Sequence, residues 1–456
     1  MTRFLMLLAI VSCSSPAKPV HQPKGATGLD GPHKAAIAAQ VKPYLDGEIL
    51  SGVVIGIYDA GKTEIYGFGK GPNDKPPTAD TLYELGSITK VYTGLLLADA
   101  VQRKEVELDT AVAELMPPGV TVPTRDKVLI TLRHLVLHSS GLPRLPPSVQ
   151  PTATDPYGKY TEDMLVKDLI QTELETTPGT QVVYSNFGVG VLGFALGRKI
   201  GGGYAAALFA RVLKPLALDS TFFAVPADAA ARRATPTNDD LASVPPWTWT
   251  DALGGAGALT SSVRDQLKLL DAELDAASGS KGTLRGAMRF SQEEQLAERP
   301  SENAGLGWLI DSKGRHIHNG GTTGSRSFMG FDTKSRRGVV VLASTGSSLV
   351  DRLGGIMFDV LDGTAKPPGA LPTAAQLASY AGNYDFTGTK LAIVAANNRL
   401  YVEGPGEPRH RLVPLTDVAF WIEALQAIAF FHKEGDAVKQ VVFQVGDRQL
   451  VAPRVP

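Results

Sequence analysis

Between Val91 and Val101 only Thr93, Gly94 and Asp99 interrupt a run of apolar residues. A segment of that length without a polar face predicts a helix buried on nearly all sides, and such a helix must sit in the middle of a domain. Its polar residues crowd at the entrance, in Leu85-Gly86-Ser87-Ile88-Thr89-Lys90. Ser87 and Lys90 are three apart and project from the same side, so a hydroxyl and an amine stand together at a helix N-terminus. The free N–H groups and helix dipole there favour negative charge, including the oxyanion formed when a serine attacks a carbonyl. The simpler alternative is an N-cap serine beside a solvated lysine. The same spacing recurs at Ser15/Lys18, in a Pro-rich stretch, and at Ser278/Lys281, in a Ser/Gly loop, and neither copy opens an apolar helix.

The chain of 456 residues is long enough for two or three domains, and 43% hydrophobic residues suffice for a globular core. A net charge of −1 with scattered basic residues argues against a nucleic-acid surface. The expected partner is a small-molecule or peptide substrate. At the N-terminus, Met1-Thr2-Arg3 and the apolar run Phe4 to Val11 have the charge and length of a signal peptide, over residues 1–12. Ile10-Val11-Ser12-Cys13 resembles a bacterial lipobox, which would make Cys13 a lipidated first residue and tether the chain to a membrane of the cell envelope. Cys13 is the single cysteine, so disulfides and Cys-based metal sites or nucleophiles are excluded from the folded part. Residues 13–32, rich in Pro, Lys, Gly and Ser, read as a tether.

Further along, His33 to Leu45 has helical spacing, and Gly52 to Tyr58 with Thr63 to Gly69 reads as a hairpin turning at Asp59-Ala60-Gly61-Lys62. Thr131 to Pro143 predicts a short helix ended by Gly141 and Pro143. Its His134 and His138 are spaced for one metal, but residue 135 is leucine and no acidic ligand is near, so turn or core histidines and no metal site are expected. Gln181 to Tyr184 reads as extended, before a second apolar helix from Phe187 to Leu196. Tyr184-Ser185-Asn186 pairs a phenol with an amide two residues on, suited to moving a proton and holding a substrate, or alternatively a buried tyrosine with a helix cap. Pro245-Pro246-Trp247-Thr248-Trp249 is an aromatic loop, either a pocket wall or packing. Gly305 to Ile310 and His316 to His318 read as strands. In His318-Asn319-Gly320-Gly321, the two glycines let a substrate approach a strand edge and free the Gly321 N–H to face an oxyanion. Residues 363–373 form a Gly/Pro linker, and 374–456 contain short alternating strands expected to make a separate small β domain.

Taken together and in order, Ser87-x-x-Lys90, Tyr184-x-Asn186 and His318-x-Gly320 resemble the serine β-lactamase and penicillin-binding protein superfamily, in the branch of class C β-lactamases, carboxypeptidases and esterases. The resemblance runs from about Ala35 to Asp362 and extends to Arg133-His134-Leu135, His138 to Pro143, Pro215-Leu216 and Gly307-Trp308. Tyr380-Ala381-Gly382-Asn383-Tyr384 resembles the lipocalin-like module appended in this branch. The resemblance implies an α/β fold of α+β type, with an antiparallel sheet covered by helices on both faces, an all-α subdomain and a β-barrel-like C-terminal domain. It implies Ser87 as nucleophile, Lys90 and Tyr184 as its base system with the proton acceptor unassigned, Asn186 on the substrate amide, and the N–H groups of Ser87 and Gly321 as the oxyanion hole. No cofactor is implied. The sequence departs from many β-lactamases in carrying His318 where they have lysine; histidine, with a reference pKa of about 6.5, supplies little charge at neutral pH. Arg326 is the candidate to replace that charge. The expected activity is acyl-enzyme hydrolysis of amides or esters. Its rivals are a non-catalytic penicillin-binding sensor lipoprotein and a metal-dependent hydrolase.

Overall fold

The computed structural model describes residues 31–151, 154–295 and 303–456. The expected signal peptide and Cys13 lie outside the described residues. Helix α1 (Lys34–Asp46) leads into strands β1 (Gly52–Asp59) and β2 (Lys62–Gly69), and β3 (Leu82–Glu84) leads into the central helix α2 (Thr89–Gln102). Helices α3 (Leu132–Val136), α4 (Glu162–Gln171), α5 (Asn186–Ile200) and α6 (Gly203–Leu208) form a helical layer. Then come β4 (Thr221–Phe222), β5 (Thr260–Ser262), α7 (Val263–Ala277) and α8 (Thr283–Gln292). The main sheet is completed by β6 (Asn303–Ala304), β7 (Leu309–Ile310), β8 (His316–Gly321), β9 (Arg326–Asp332) and β10 (Arg337–Ala343), before α9 (Leu349–Leu361).

The main sheet is antiparallel, in the order β2-β1-β10-β9-β8-β7-β6. Both its faces are covered, which explains why β1 and β10 are apolar nearly throughout instead of alternating with polar residues. Val53, Ile55, Val339 and Val341 pack toward α1 and α9, with Ile37, Val41, Leu353 and Met357. Val54, Tyr58, Val340 and Leu342 face the other way, toward α2 and α7, with Val91, Leu95 and Leu267. At Gly56 the α7 layer comes so close that a Cβ would lie 2.6 Å from a methyl of Val263.

In α2 all residues from Thr89 to Ala100 are buried, as a helix without a wet face requires. Gly94 lets another segment cross it, since a Cβ there would lie 2.2 Å from the Leu306 carbonyl oxygen. That crossing corrects one expectation: Gly305 to Trp308 is not strand, and the ladder begins only at Leu309. Gly307 sits at φ +83° over the Lys90 carbonyl, a path no regular strand follows. Residues 181–185 also join no sheet. The expected helix over Thr131 to Pro143 is regular only from Leu132 to Val136.

After α10 (Ala374–Tyr380) the chain forms a closed eight-stranded barrel: β11 (Gly382–Phe386), β12 (Thr389–Ala396), β13 (Arg399–Glu403), β14 (His410–Pro414), β15 (Ala419–Ile422), β16 (Ala427–Glu434), β17 (Ala437–Val445) and β18 (Arg448–Val455). Closure removes exposed strand edges. Its interior is filled by side chains such as Tyr380, Tyr384, Phe420 and Phe431. Val413, Leu415 and Trp421 pack against the α1/α9 layer. The buried Arg411 donates to the carbonyls of Glu48 (2.9 Å), Asp239 (2.6 Å) and Gly47 (3.0 Å), which ties the barrel to the larger domain.

Candidate active site

Three segments far apart in sequence converge on one oxygen. Ser87 lies in a single 3₁₀ turn, Gly86–Ile88, that runs directly into α2. Its side chain does not cap the helix and is free for another use. Lys90 Nζ lies 2.9 Å from Ser87 Oγ, and Tyr184 OH lies 2.7 Å from it.

Tyr184 is held by a clamp built from two loops. Ser185 caps α5, accepting from the Gly188 N–H at 2.9 Å, while its hydroxyl donates to the Pro143 carbonyl at 2.6 Å. The Val183 N–H donates to the His138 carbonyl at 2.8 Å, and the Asn186 N–H to the Arg144 carbonyl at 2.9 Å. The backbone donors of Val183, Ser185 and Asn186 therefore go to the 138–144 loop and not to a neighbouring strand, which is why this extended run is not part of a sheet. His138 accepts from the Ser185 N–H through Nδ1 at 3.2 Å, and its ring lies 4.4 Å from that of Tyr184. His134 Nδ1 accepts from the Thr131 N–H at 3.2 Å at the start of α3. Both histidines thus hold backbone in place.

Lys90 is 2% exposed. Besides Ser87 it contacts Asn186 Oδ1 at 2.9 Å and the Ala256 carbonyl at 2.6 Å. Burial, aided by the charge of Arg144, pushes its pKa well below that of an ordinary lysine. The two oxygens are acceptors only, so they take the two N–H bonds of a neutral amine and leave its lone pair facing Ser87 Oγ. Tyr184 moves the opposite way: burial raises its phenol to about 12. The two shifts favour the uncharged form of both groups, an amine able to accept a proton and a phenol that keeps its own.

His318, on β8, is 4% exposed. Its Nδ1–H donates to the Asn319 carbonyl at 2.6 Å. Burial, with Lys90 nearby, lowers its pKa to about 4, so the ring is neutral across the physiological range. Gly320 and Gly321 follow on the same strand, against the Ser87 turn. A Cβ on Gly320 would lie 1.9 Å from the Leu85 oxygen and 2.8 Å from the Ser87 nitrogen, and one on Gly86 (φ +51°) would lie 2.6 Å from the Gly321 nitrogen. Glycine is required at both positions for the two backbones to meet.

Arg326 reaches the same cleft but differs from expectation. Its guanidinium is engaged by Asp351, through Nε at 3.0 Å and through Nη2, so its charge is already neutralised. Asp351 also accepts from the Asn319 amide at 2.6 Å. Two contributors were not visible in the sequence. Tyr157 places its hydroxyl 3.3 Å from Asn186 Nδ2 and stacks on Trp249 at 4.0 Å, while Trp247 lines the cleft. Arg144 lies over the Tyr184 ring, 5.2 Å from its centroid. Only the neighbouring Leu142-Pro143, inside the family-like stretch, hinted at Arg144; nothing in the sequence marked Tyr157. The cleft encloses about 430 Å³, and Ser87, Tyr184, Asn186, His318 and Arg326 all open onto it.

The chain is similar in sequence and in fold to known proteins. A family model described as Beta-lactamase matches residues 37–362. Among curated proteins, the D-alanyl-D-alanine-carboxypeptidase/endopeptidase AmpH of Escherichia coli (strain K12) is 26% identical over 296 residues, covering 60% of this chain and 70% of the relative. A beta-lactamase of the same strain is 28% identical over 189 residues, covering 41% of this chain and 47% of the relative. Among solved structures, a class C beta-lactamase from Rhodobacter sphaeroides superposes with a TM-score of 0.61 at 26% identity, over 72% of this chain and 99% of its own. A beta-lactamase/D-alanine carboxypeptidase from Pseudomonas syringae shares the fold, with a TM-score of 0.63 at 22% identity, over 74% of this chain and 100% of its own.

Proposed function

The chain belongs to the beta-lactamase family of serine hydrolases, and from that premise we propose that it cleaves amide bonds of short peptides through an acyl-enzyme on Ser87, acting as a peptidase or carboxypeptidase in preference to an efficient β-lactamase. The observation that carries this reading is the pair of contacts on Ser87 Oγ, 2.9 Å to Lys90 Nζ and 2.7 Å to Tyr184 OH. Ser87 attacks the carbonyl and its proton passes to the neutral Lys90 amine. The N–H groups of Ser87 and Gly321 receive the oxyanion, one such donor being worth about 3 kcal/mol. As the carbon–nitrogen bond breaks, the Tyr184 phenol gives its proton to the leaving nitrogen and recovers one from the protonated Lys90. Water then attacks the ester and gives a proton to Lys90, which passes it to Ser87 Oγ as the acyl–oxygen bond breaks, so that the free serine and the neutral amine are regenerated. Asn186 holds the acyl amide.

The neutral His318 offers no fixed charge for a substrate carboxylate, so a charge for one must come from another group in the cleft. AmpH, named for carboxypeptidase and endopeptidase activity, is similar to 60% of this chain. We place the enzyme at a bacterial cell envelope, tethered through a lipid on Cys13, with the stretch to residue 32 as its stalk.

The test is a substrate panel of nitrocefin, p-nitrophenyl esters, D-Ala-D-Ala peptides and D-aminoacyl amides, run with wild type and Ser87→Ala. Peptide turnover that disappears in Ser87→Ala supports the proposal. Labelling of Ser87 by a β-lactam without turnover of any substrate would replace it with the sensor reading, and loss of activity on adding chelator would refute it.

A further inference from the structure

Four basic side chains stand in or beside the cleft, and three are already committed. Lys90 is buried on Ser87, Asn186 and Ala256. His318 gives its N–H to Asn319, and Arg326 is locked to Asp351. Arg144 differs. Its side chain is exposed to the cleft, and among the described residues no carboxylate lies within ion-pair distance of it. No aspartate or glutamate is among the described residues lining the cleft. Its guanidinium stands 5.2 Å from the centre of the Tyr184 ring, a cation–π placement that leaves the N–H fork free. A free planar fork at the mouth of a site without counter-charge is suited to a carboxylate, which it binds with two parallel hydrogen bonds.

We propose that Arg144 is the specificity-determining residue that binds a free carboxylate on the leaving group, so that the preferred substrate releases an amino acid or peptide whose own carboxylate lies next to the scissile nitrogen. This deepens the hydrolase reading above and rests on it. The side rests on the proposed role of Tyr184: its phenol lies against Ser87 Oγ at 2.7 Å and would protonate the leaving nitrogen, and the Arg144 guanidinium lies over its ring. In an α-amino acid the carboxyl carbon is about 2.5 Å from that nitrogen, which brings it within reach of a guanidinium on the same ring. Arg144 thereby takes the part that the sequence suggested for Arg326.

Two substrates with one acyl group decide the matter, one releasing an amino acid with a free carboxylate and the other releasing the same residue as its carboxamide. In Arg144→Gln the ratio of kcat/KM for acid over carboxamide falls at least tenfold, mainly through KM, and Arg144→Lys recovers part of it. Arg326→Gln affects both substrates alike. An unchanged ratio in Arg144→Gln, or a collapse that follows Arg326→Gln instead, overturns the proposal. Protection of Ser87 from a fluorophosphonate probe by the two compounds gives a second readout that needs no turnover. The acid protects wild type at least tenfold better than the carboxamide, and this advantage is lost in Arg144→Gln; equal protection of wild type overturns the assignment. Should the hydrolase reading itself fail, wild type turns over neither compound, whether or not Ser87 is labelled, a result distinct from either outcome.

Discussion

The replacement Gly320→Ala adds one methyl group where two backbones meet. Its Cβ would stand 1.9 Å from the Leu85 oxygen, 2.7 Å from Ser327 Oγ and 2.8 Å from the Ser87 nitrogen. Carbon and oxygen approach comfortably at roughly 3.3 Å, so β8 and the Ser87 turn must separate by more than about 1 Å. Neither side yields easily: the Leu85 oxygen accepts from Ser327 Oγ at 2.7 Å, and the Leu85 N–H donates to the Leu259 carbonyl at 2.8 Å. A misplacement of about 1 Å costs about 10²-fold in rate, and loss of one oxyanion donor about 10² to 10³-fold. Overpacking should cost roughly 1–3 kcal/mol of stability. We therefore expect kcat for a p-nitrophenyl ester to fall 10² to 10³-fold, with Tm lower by a few degrees. Gly321→Ala is the control, because its Cβ would meet the Arg326 guanidinium at 2.7 Å, the far end of a side chain and not backbone. It should lose less than tenfold. Wild-type kcat in Gly320→Ala, or equal losses in the two variants, would refute the account of how β8 and the Ser87 turn form one site.

Three further outcomes follow from the charge states. With Lys90 as the proposed proton acceptor, kcat/KM should rise with pH through a value well below that of ordinary lysine, and Arg144→Gln, by removing a neighbouring positive charge, should move that limb to higher pH; an unmoved limb would disconnect Lys90 from the proton transfer. Tyr184→Phe should lose about 10² to 10⁴-fold on amides, whose nitrogen must be protonated to leave, but far less on p-nitrophenyl esters, whose leaving group needs no proton; equal losses on both would show that the phenol does not serve the leaving group. Glu273 is buried in α7, and burial raises its carboxyl to about 8. Because the folded value exceeds the unfolded one, its favourable contribution is complete in acid and lost as pH rises through about 8, so Glu273→Gln should be more stable to denaturant than wild type above pH 8, by roughly a few kcal/mol, and should close that gap near pH 5.

What the sequence disclosed followed burial. A helix with no polar face had to be central, and α2 is; strands apolar on both sides had to lie under two layers, and β1 and β10 do. The barrel's alternating strands were legible for the same reason, although closure into a ring depends on β11 meeting β18, a pairing that local pattern does not encode. Failures came where backbone hydrogen bonds leave the local segment. Gln181 to Tyr184 is extended in conformation but bonds to loop 138–144, and Gly305 to Trp308 bends over α2 at two glycines. The site shows the same division. Ser87 and Lys90 were readable because one helical turn sets their spacing, and Tyr184 with His318 because the motifs recur in a known order. The pairing of Arg326 with Asp351 spans 25 residues and depends on how α9 lies on the sheet, so no spacing rule exposed it. Arg144 sits in an irregular loop, and its freedom is a property of what is absent around it. Ser87, Lys90 and His318 are thus set by regular elements and Tyr184 by a loop clamp, whereas Arg144, Tyr157 and Trp247 line the cleft from irregular segments. Chemistry in this chain can be inherited with the fold while specificity drifts with the loops, which is why exchanging residues 144–157 should alter substrate choice more than it alters the pH dependence of acylation.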